Sequence, residues 1–301
     1  MVIKTLLPLS IIIFPIFAEA KDNLEMSAEV EVSYGYESNV SVDDVDLNTN
    51  IGDQFIDLRF SSDLVFKIQE STEMSAGLTI SDRLYDTFDE FDGLLSLASL
   101  AVSHQKGDWE YGLITRYIDY QLDGSELLAM TQISPSLAWF PSKRTYLYLN
   151  YERSRETYSE NSQRNNDRDE IGAAFYYFIN GLRQYITIQT DVAKEKAKAG
   201  FFSNDSWQIR LAFMQRMTIL SRDSILRLAF RHENRRYDRS INPTIADFRK
   251  DTRHRYELGL EIPINEDWSA MTLVQYSDYR SNLKSSDYSQ ELYQLTVQYQ
   301  F

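Results

Sequence analysis

A chain of 301 residues with 43% hydrophobic and 25% charged side chains can bury a sizeable core, and its zero cysteines exclude disulfide scaffolds, thiol catalysis and thiolate metal sites. The balance of 31 Lys plus Arg against 45 Asp plus Glu, a net charge of -14, excludes nucleic acid as a partner, because phosphate binding needs a positive footprint. Only His104, His232 and His254 are available for metal or acid-base chemistry, so no cofactor and no metal are expected, while 20 Tyr and 16 Phe beside 11 Gly point to aromatic-rich strands.

Residues 1–20 carry Lys4, an apolar run from Leu6 to Phe17, then Ala18-Glu19-Ala20. These are the charged, apolar and small-residue parts of a secretory signal peptide cut near Ala20. The apolar run is too short to span a membrane, and Lys21 follows where a lipid-accepting cysteine would stand. No later window approaches 18 apolar residues, so residues 21–301 are either soluble outside the cytoplasm or cross a membrane as strands.

From Met26 to Tyr36 apolar side chains occupy the even positions and Ser, Glu and Gly the odd ones, a period of two that a helix would scramble. The pattern returns at 56–68, 74–84, 94–104, 109–120, 127–140, 145–153, 171–179, 184–192, 206–217, 224–233, 253–262, 268–279 and 289–301. About 14 strands of this length suit an all-β, antiparallel, up-and-down transmembrane barrel. The connections alternate: short turns such as 141–144 and 265–267 against longer polar segments at 37–54, 154–170, 194–205 and 234–252. Short periplasmic turns and long external loops put both termini on the periplasmic side. Trp109, Trp139 and Trp268 lie beside short turns, and Tyr34, Tyr36, Tyr117, Tyr151, Trp207 and Tyr276 lie toward the long loops, as two interfacial belts would. A secreted soluble sandwich would also alternate, but needs neither 14 long strands nor paired belts.

The segment Gly35-Tyr36-Glu37-Ser38-Asn39 resembles the opening segment of β-barrel porins of Gram-negative bacteria and of the barrel half of surface lipoprotein assembly modifiers. The terminal strand, with Tyr299 and the final Phe301, resembles the assembly signal read by the barrel-assembly machinery. What the resemblance implies is a bacterial outer-membrane barrel with a channel-like role. It is expected to lack the helical-repeat domain of the assembly modifiers, because the first strand begins just after the signal peptide.

Fixing the apolar face strand by strand leaves Arg59, Arg116, Arg210, Arg216, Arg227, Arg231 and Arg255, with Glu29, Glu31, Asp57, Asp63, Glu257 and Glu261, on the lumen face. Asp82, Asp119, Arg153, His232, His254 and Glu291 break the pattern only near the external rim, where charge costs little. Residues 21–150 hold 8 basic and 23 acidic side chains, residues 151–301 hold 22 and 21. Wound into a ring, that asymmetry gives a transverse field that sorts solutes by charge. Counting back from the turn after Met217 sets Arg210 opposite Arg231 on the inward face, with Arg255 next to them. One reading is a basic site for an anionic solute or acidic sugar. The other is an internal ion-pair network with Glu257, Glu29 or Glu31, in a filled lumen.

Two functional classes follow: a porin-like channel for small or anionic solutes or polymer export, or a plugged barrel whose external loops bind a partner, a surface polysaccharide or lipopolysaccharide. An export partner and outer-membrane lipid are the expected contacts. An enzyme is not expected: His232-Glu233-Asn234 with Ser240, or His254 with Ser281, are the best serine and histidine candidates, and neither reproduces a serine-hydrolase motif. The acidic first loop, with Asp43, Asp44, Asp46 and Asp53, lacks calcium-loop spacing and is expected to be a solvated, repulsive loop.

Overall fold

The computed structural model describes residues 23–301. The predicted signal peptide and its cleavage near Ala20 lie outside the described residues.

In chain order the strands are β1 (Leu24–Glu37), β2 (Ser41–Val42), β3 (Leu47–Asn48), β4 (Asp53–Gln69), β5 (Thr72–Tyr85), β6 (Gly93–Lys106), β7 (Trp109–Leu122) and β8 (Ser125–Ser142). There follow β9 (Thr145–Tyr158), β10 (Asn166–Phe178), β11 (Gln184–Ala197), β12 (Asn204–Ile219), β13 (Arg222–Asn242), β14 (Asp247–Pro263), β15 (Trp268–Ser281) and β16 (Tyr288–Gln300). Fourteen of these close into one antiparallel barrel, each paired with its sequence neighbour and β16 returning to β1. Closure leaves the barrel sheet without a free edge strand, as a strand-built membrane protein requires. The short pair β2 and β3 belongs to the first connection, residues 38–52, called loop 1 here.

The period-two pattern fixes which face meets lipid. Leu100, Leu149, Ile171, Val192, Leu228, Leu258 and Leu295 are all exposed on the outer wall, and the charged residues of the alternate parity face the lumen. The belts form by direct cross-strand contact. Trp109 and Trp139 are register partners and stack at 5.2 Å, and Trp268 lies 4.7 Å from Tyr299 at the same end. Each such aromatic pair adds about 0.5–1.5 kcal/mol beyond its buried area.

The outer connections are shorter than their polarity suggested. β13 runs on to Asn242 and β14 starts at Asp247, so most of 234–252 is strand that extends the wall, and β9 and β10 likewise take up the ends of 154–170. Between β7 and β8 the outer connection is only Asp123-Gly124, both at positive φ (48° and 68°), the two-residue turn whose twist matches the strands it joins.

Candidate functional site

Loop 1 is not a solvated loop. It folds across the outer mouth of the barrel, because Val40 and Val42 are buried against different walls. Val40 packs with Phe55, Tyr85 and Leu292, beside its own strand. Val42 packs with Leu127, Leu128 and Tyr158 of β8 and β9, on the far side of the ring.

The motif Gly35-Tyr36-Glu37-Ser38-Asn39 builds the departure of this loop. Gly35 is the register partner of Phe55, and a Cβ on it would stand 2.4 Å from the Phe55 ring and 2.7 Å from the Tyr293 carbonyl. Only glycine leaves room for that ring. Glu37 accepts from Arg83 at 2.7 Å, Tyr85 at 3.0 Å and Gln290 at 3.1 Å. Ser38 donates its N–H to the Glu291 carbonyl, and the Asn39 side chain accepts from the Asn50 N–H at 2.8 Å, closing the base of the loop. Tyr36 points outward, its hydroxyl beside Gly52.

Of Asp43, Asp44 and Asp46 in the loop and Asp53 just after it, three are tied down through their side chains. Asp43 meets Arg253 of β14 at 2.6 Å. Asp46, at φ 58°, ends the 3-10 turn of loop 1 and receives Arg249 of β14 and Arg164 of the β9–β10 connection. Arg164 also donates to the Asp44 carbonyl at 2.9 Å. Asp53, just after the loop, accepts the N–H groups of Thr87 and Phe88 and so pins the next outer connection. Mutual repulsion of the acidic residues was the expectation. The arginines of the second half of the chain outweigh it, because loop 1 lies against their wall and buries its carboxylates in charge-assisted bonds.

Beneath the loop, β12, β13 and β14 carry a column of inward arginines. Arg210, Arg231 and Arg255 are successive register partners in one row across the three strands. Arg210 donates to Glu257 at 2.9 Å, Arg255 donates to the Tyr279 hydroxyl at 3.0 Å, and Arg231 lies 3.5 Å from Glu233. The enclosed Arg231 Nε has no hydrogen-bond partner among the described residues. Lower down, Arg227 pairs with Glu261 at 2.8 Å, and Arg216 lies 3.6 Å from Asp223 by the short turn between β12 and β13. The row is therefore compensated in part by Glu257 and Glu233. Glu29 and Glu31 take no part in it: Glu31 stands 3.8 Å from Arg59 of the neighbouring strand, and Glu29 is the register partner of Ser61 and Gln300.

On the other wall the inward groups are mostly acidic or neutral. Asp57 is buried between Arg83 at 3.1 Å and Ser81 at 2.9 Å, so it braces the wall and lines no open space. Asp63 lies against Gly77, and Arg116 is the register partner of Gln132, which donates to Glu152 at 2.5 Å. Three cavities follow one another down the arginine wall. The upper, of 280 Å³, lies between loop 1 and Arg164, Arg235 and Glu156. The middle, of 110 Å³, shares Asp43, Arg235 and Arg253 with it and reaches Arg231 and Arg255. The lower, of 410 Å³, is lined by Arg210, Arg227, Glu257, Tyr176 and Glu31.

No family model matches the chain, and no curated protein sequence matches it. Among solved structures it is similar to the anion-selective porin from Comamonas acidovorans, with a TM-score of 0.57 and 8% identity over 93% of this chain and 99% of that one. It is also similar to OmpT, an outer membrane protein of Vibrio cholerae, with a TM-score of 0.56 and 9% identity over 94% and 99%. The fold is that of outer-membrane porin barrels. At these identities the likeness carries the fold alone, and the chemistry has to be read from the lumen.

The serine and histidine candidates do not meet. His232 Nδ1 and His254 Nε2 are 3.0 Å from each other on the outer wall, Ser281 donates to Asp251 at 2.6 Å, and Ser240 faces Gly200. At the C-terminus the Phe301 ring meets Tyr299 edge-on at 4.6 Å, and the Phe301 N–H donates to the Ala28 carbonyl at 2.8 Å. Sequence reasoning missed the arginines that hold loop 1, Arg164, Arg249 and Arg253. The signal was present in the five apolar residues of loop 1, Val40, Val42, Val45, Leu47 and Ile51, of which Val40 and Val42 find buried sites.

Proposed function

We propose that the chain is an outer-membrane channel for small anionic solutes, which pass beneath loop 1 along the arginine wall of β12, β13 and β14. The observation that carries this reading is the run of cavities of 280, 110 and 410 Å³ beside Arg253, Arg231, Arg255 and Arg210. Arginine guanidinium groups in a partly enclosed lumen hold an anion at close range with little screening, and the neighbouring carboxylates keep that binding weak enough for release. The middle cavity suits a small solute and not a polymer chain while loop 1 is in place. One structural neighbour is an anion-selective porin, which agrees with the sign of this selectivity.

A second reading is favoured by the Asp46 clamp: with loop 1 held on both sides of the mouth, the resting state is closed and the barrel serves as a scaffold for its rim. Bilayer recording in a salt gradient separates the two. The channel reading expects steady conductance with a reversal potential of anion sign, and a shift toward cations when Arg210 and Arg231 are both replaced by Glu. A barrel that stays silent even with Asp43 and Asp46 changed to Asn overturns it, as does unchanged ion preference in the double Glu variant.

A further inference from the structure

On the outer wall, just above the aromatic belt, the register places a row of charged side chains that point away from the lumen. Arg153 pairs with Asp169, Asp169 with Lys194, Lys194 with Asp205, and Asp205 with Arg236. This alternation is what cross-strand pairing favours, since unlike charges directly opposite attract. It breaks at the next step. Arg236 is the register partner of Lys250, both are exposed, and no carboxylate forms an ion pair with either among the described residues. Two like charges directly opposite are destabilising unless an anion sits between them.

Below this pair the same wall offers two more features in order of depth. A polar crevice of 640 Å³ is lined by Lys250, Thr252, Arg280 and Tyr276 and by two carboxylates already engaged, Asp278 with Arg280 at 2.9 Å and Asp287 with the Ser281 N–H at 3.2 Å. Beneath it lies an apolar groove of 570 Å³ between Phe213, Leu228, Phe230, Leu258 and Val274, with Tyr276 lining both. Between the two levels sit hydrogen-bonding and ring surfaces, the His232 and His254 pair and the Asn234 bond to Thr252 at 3.2 Å. From Lys250 to Leu258 the strand descends from the charged rim into the apolar band, about 3.3 Å per residue.

We infer that this face of β13, β14 and β15 is a binding site for one phosphorylated, acylated glycolipid of the outer leaflet. The phosphate lies between Arg236 and Lys250, the sugar ring against the Asn234, Thr252 and histidine layer, and an acyl chain in the groove beside Phe230 and Leu258. Charge complementarity selects this occupant. A neutral lipid would leave the Arg236–Lys250 repulsion in place, and a soluble phosphate would leave the groove unfilled. The site faces away from the lumen, so it stands whether or not the barrel conducts.

The test uses the folded, detergent-solubilised barrel, titrated with bisphosphorylated lipid A, its dephosphorylated form and phosphatidylcholine, and read by native mass spectrometry. Lipid A is expected to be retained over both other lipids by on the order of tenfold, the effect of one or two charge-assisted hydrogen bonds. Arg236→Ser with Lys250→Ser, or Lys250→Ser alone, should reduce retention to the level of the dephosphorylated form, and Phe230→Ser should weaken all three lipids together. Lys194→Ser, in the alternating part of the row, should bind as the parent does. All variants are compared only after heat-modifiable gel mobility shows a folded barrel. Equal retention of the three lipids, loss on Lys194→Ser as large as on Lys250→Ser, or full retention by the double variant would overturn the site and leave an ordinary lipid annulus.

Discussion

Arg249 of β14 donates to both carboxylate oxygens of Asp46 in loop 1, at 2.7 and 3.1 Å, across 203 positions of sequence. Both side chains are almost fully buried, and Arg249 also holds Asp251 at 2.8 Å, so it is a fixed post to which the loop is tied. Asn at position 46 keeps the left-handed backbone and the shape but removes the charge. Because Arg249 retains Asp251, Asp46→Asn should weaken the clamp by about 1–3 kcal/mol without unfolding the barrel. Single-channel recording should show larger or more frequent openings than the parent. Unchanged conductance would mean that loop 1 does not limit the pore.

The same clamp sets an acid limit. Burial raises the Asp46 carboxyl, but the Arg249 hydrogen bonds and charge, with Arg164, outweigh it and hold it at about 2, against an ordinary 3.8. A carboxyl depressed on folding contributes stability that is complete above the ordinary value and is lost as pH falls through the depressed one. The contribution is about 2 kcal/mol. Conductance should therefore be flat from pH 7 to pH 5 and rise only below about pH 3, and the Asp46→Asn variant should show no such acid step. A transition between pH 5 and 7 would assign control of the loop to another group.

Topology follows from loop 1 and the aromatic belts together. Single cysteines at the exposed Ser159 or Thr244 should react with a membrane-impermeant maleimide on intact cells, and those at Ser142 or Asp267 should not. Ser203 is unsuitable for the purpose, because it is 1% exposed and its hydroxyl accepts the Ala197 N–H. Labelling in the reverse pattern would turn the barrel over.

Register is tested by neighbours on one strand. Leu228 is exposed on the lipid face of β13 and Arg227 faces the lumen beside Glu261. Leu228→Arg should cost about 2–4 kcal/mol at mid-membrane and lower the yield of folded, heat-modifiable protein, while Arg227→Gln should assemble as the parent does. Asp57 is not an equivalent control. Its bonds to Arg83 and Ser81 make Asp57→Asn a wall defect although it is on the lumen side.

How much of this was legible depends on the range of the interaction. A period of two in a lipid-facing wall is a local property, so the fourteen barrel strands and the direct opposition of Arg210 and Arg231 could be counted from the turn after Met217. The Asp123-Gly124 pair is an equally local feature, a sequence that favours a two-residue hairpin turn. The path of loop 1 was not local. Its partners Arg164, Arg249 and Arg253 are more than a hundred residues away, and the charge pattern of Asp43, Asp44 and Asp46 alone reads as repulsion. Only closure of the ring brings the acidic loop against the basic wall.

The resemblance segment offers the last test, since its glycine has a structural reason that can be separated from any role in transport. A Cβ at position 35 would meet the Phe55 ring at 2.4 Å and, on the other side, the Tyr293 carbonyl at 2.7 Å. The ring could turn away, but the carbonyl belongs to the β16 backbone and cannot yield as easily. Phe55 is 1% exposed and forms the floor on which Val40 rests, with Arg83 over its ring at 4.2 Å. Gly35→Ala should therefore push Phe55 from under Val40, loosen loop 1 at its root and cost about 1–3 kcal/mol as an overpacked site. Phe55→Leu in the same chain should recover part of the loss by freeing the space, but not all of it, because the Tyr293 contact stays. Protease protection of loop 1 and thermal loss of gel mobility would measure both effects. A Gly35→Ala barrel as stable and as protected as the parent would show that Phe55 has another place to go, and that loop 1 is held by its arginines alone.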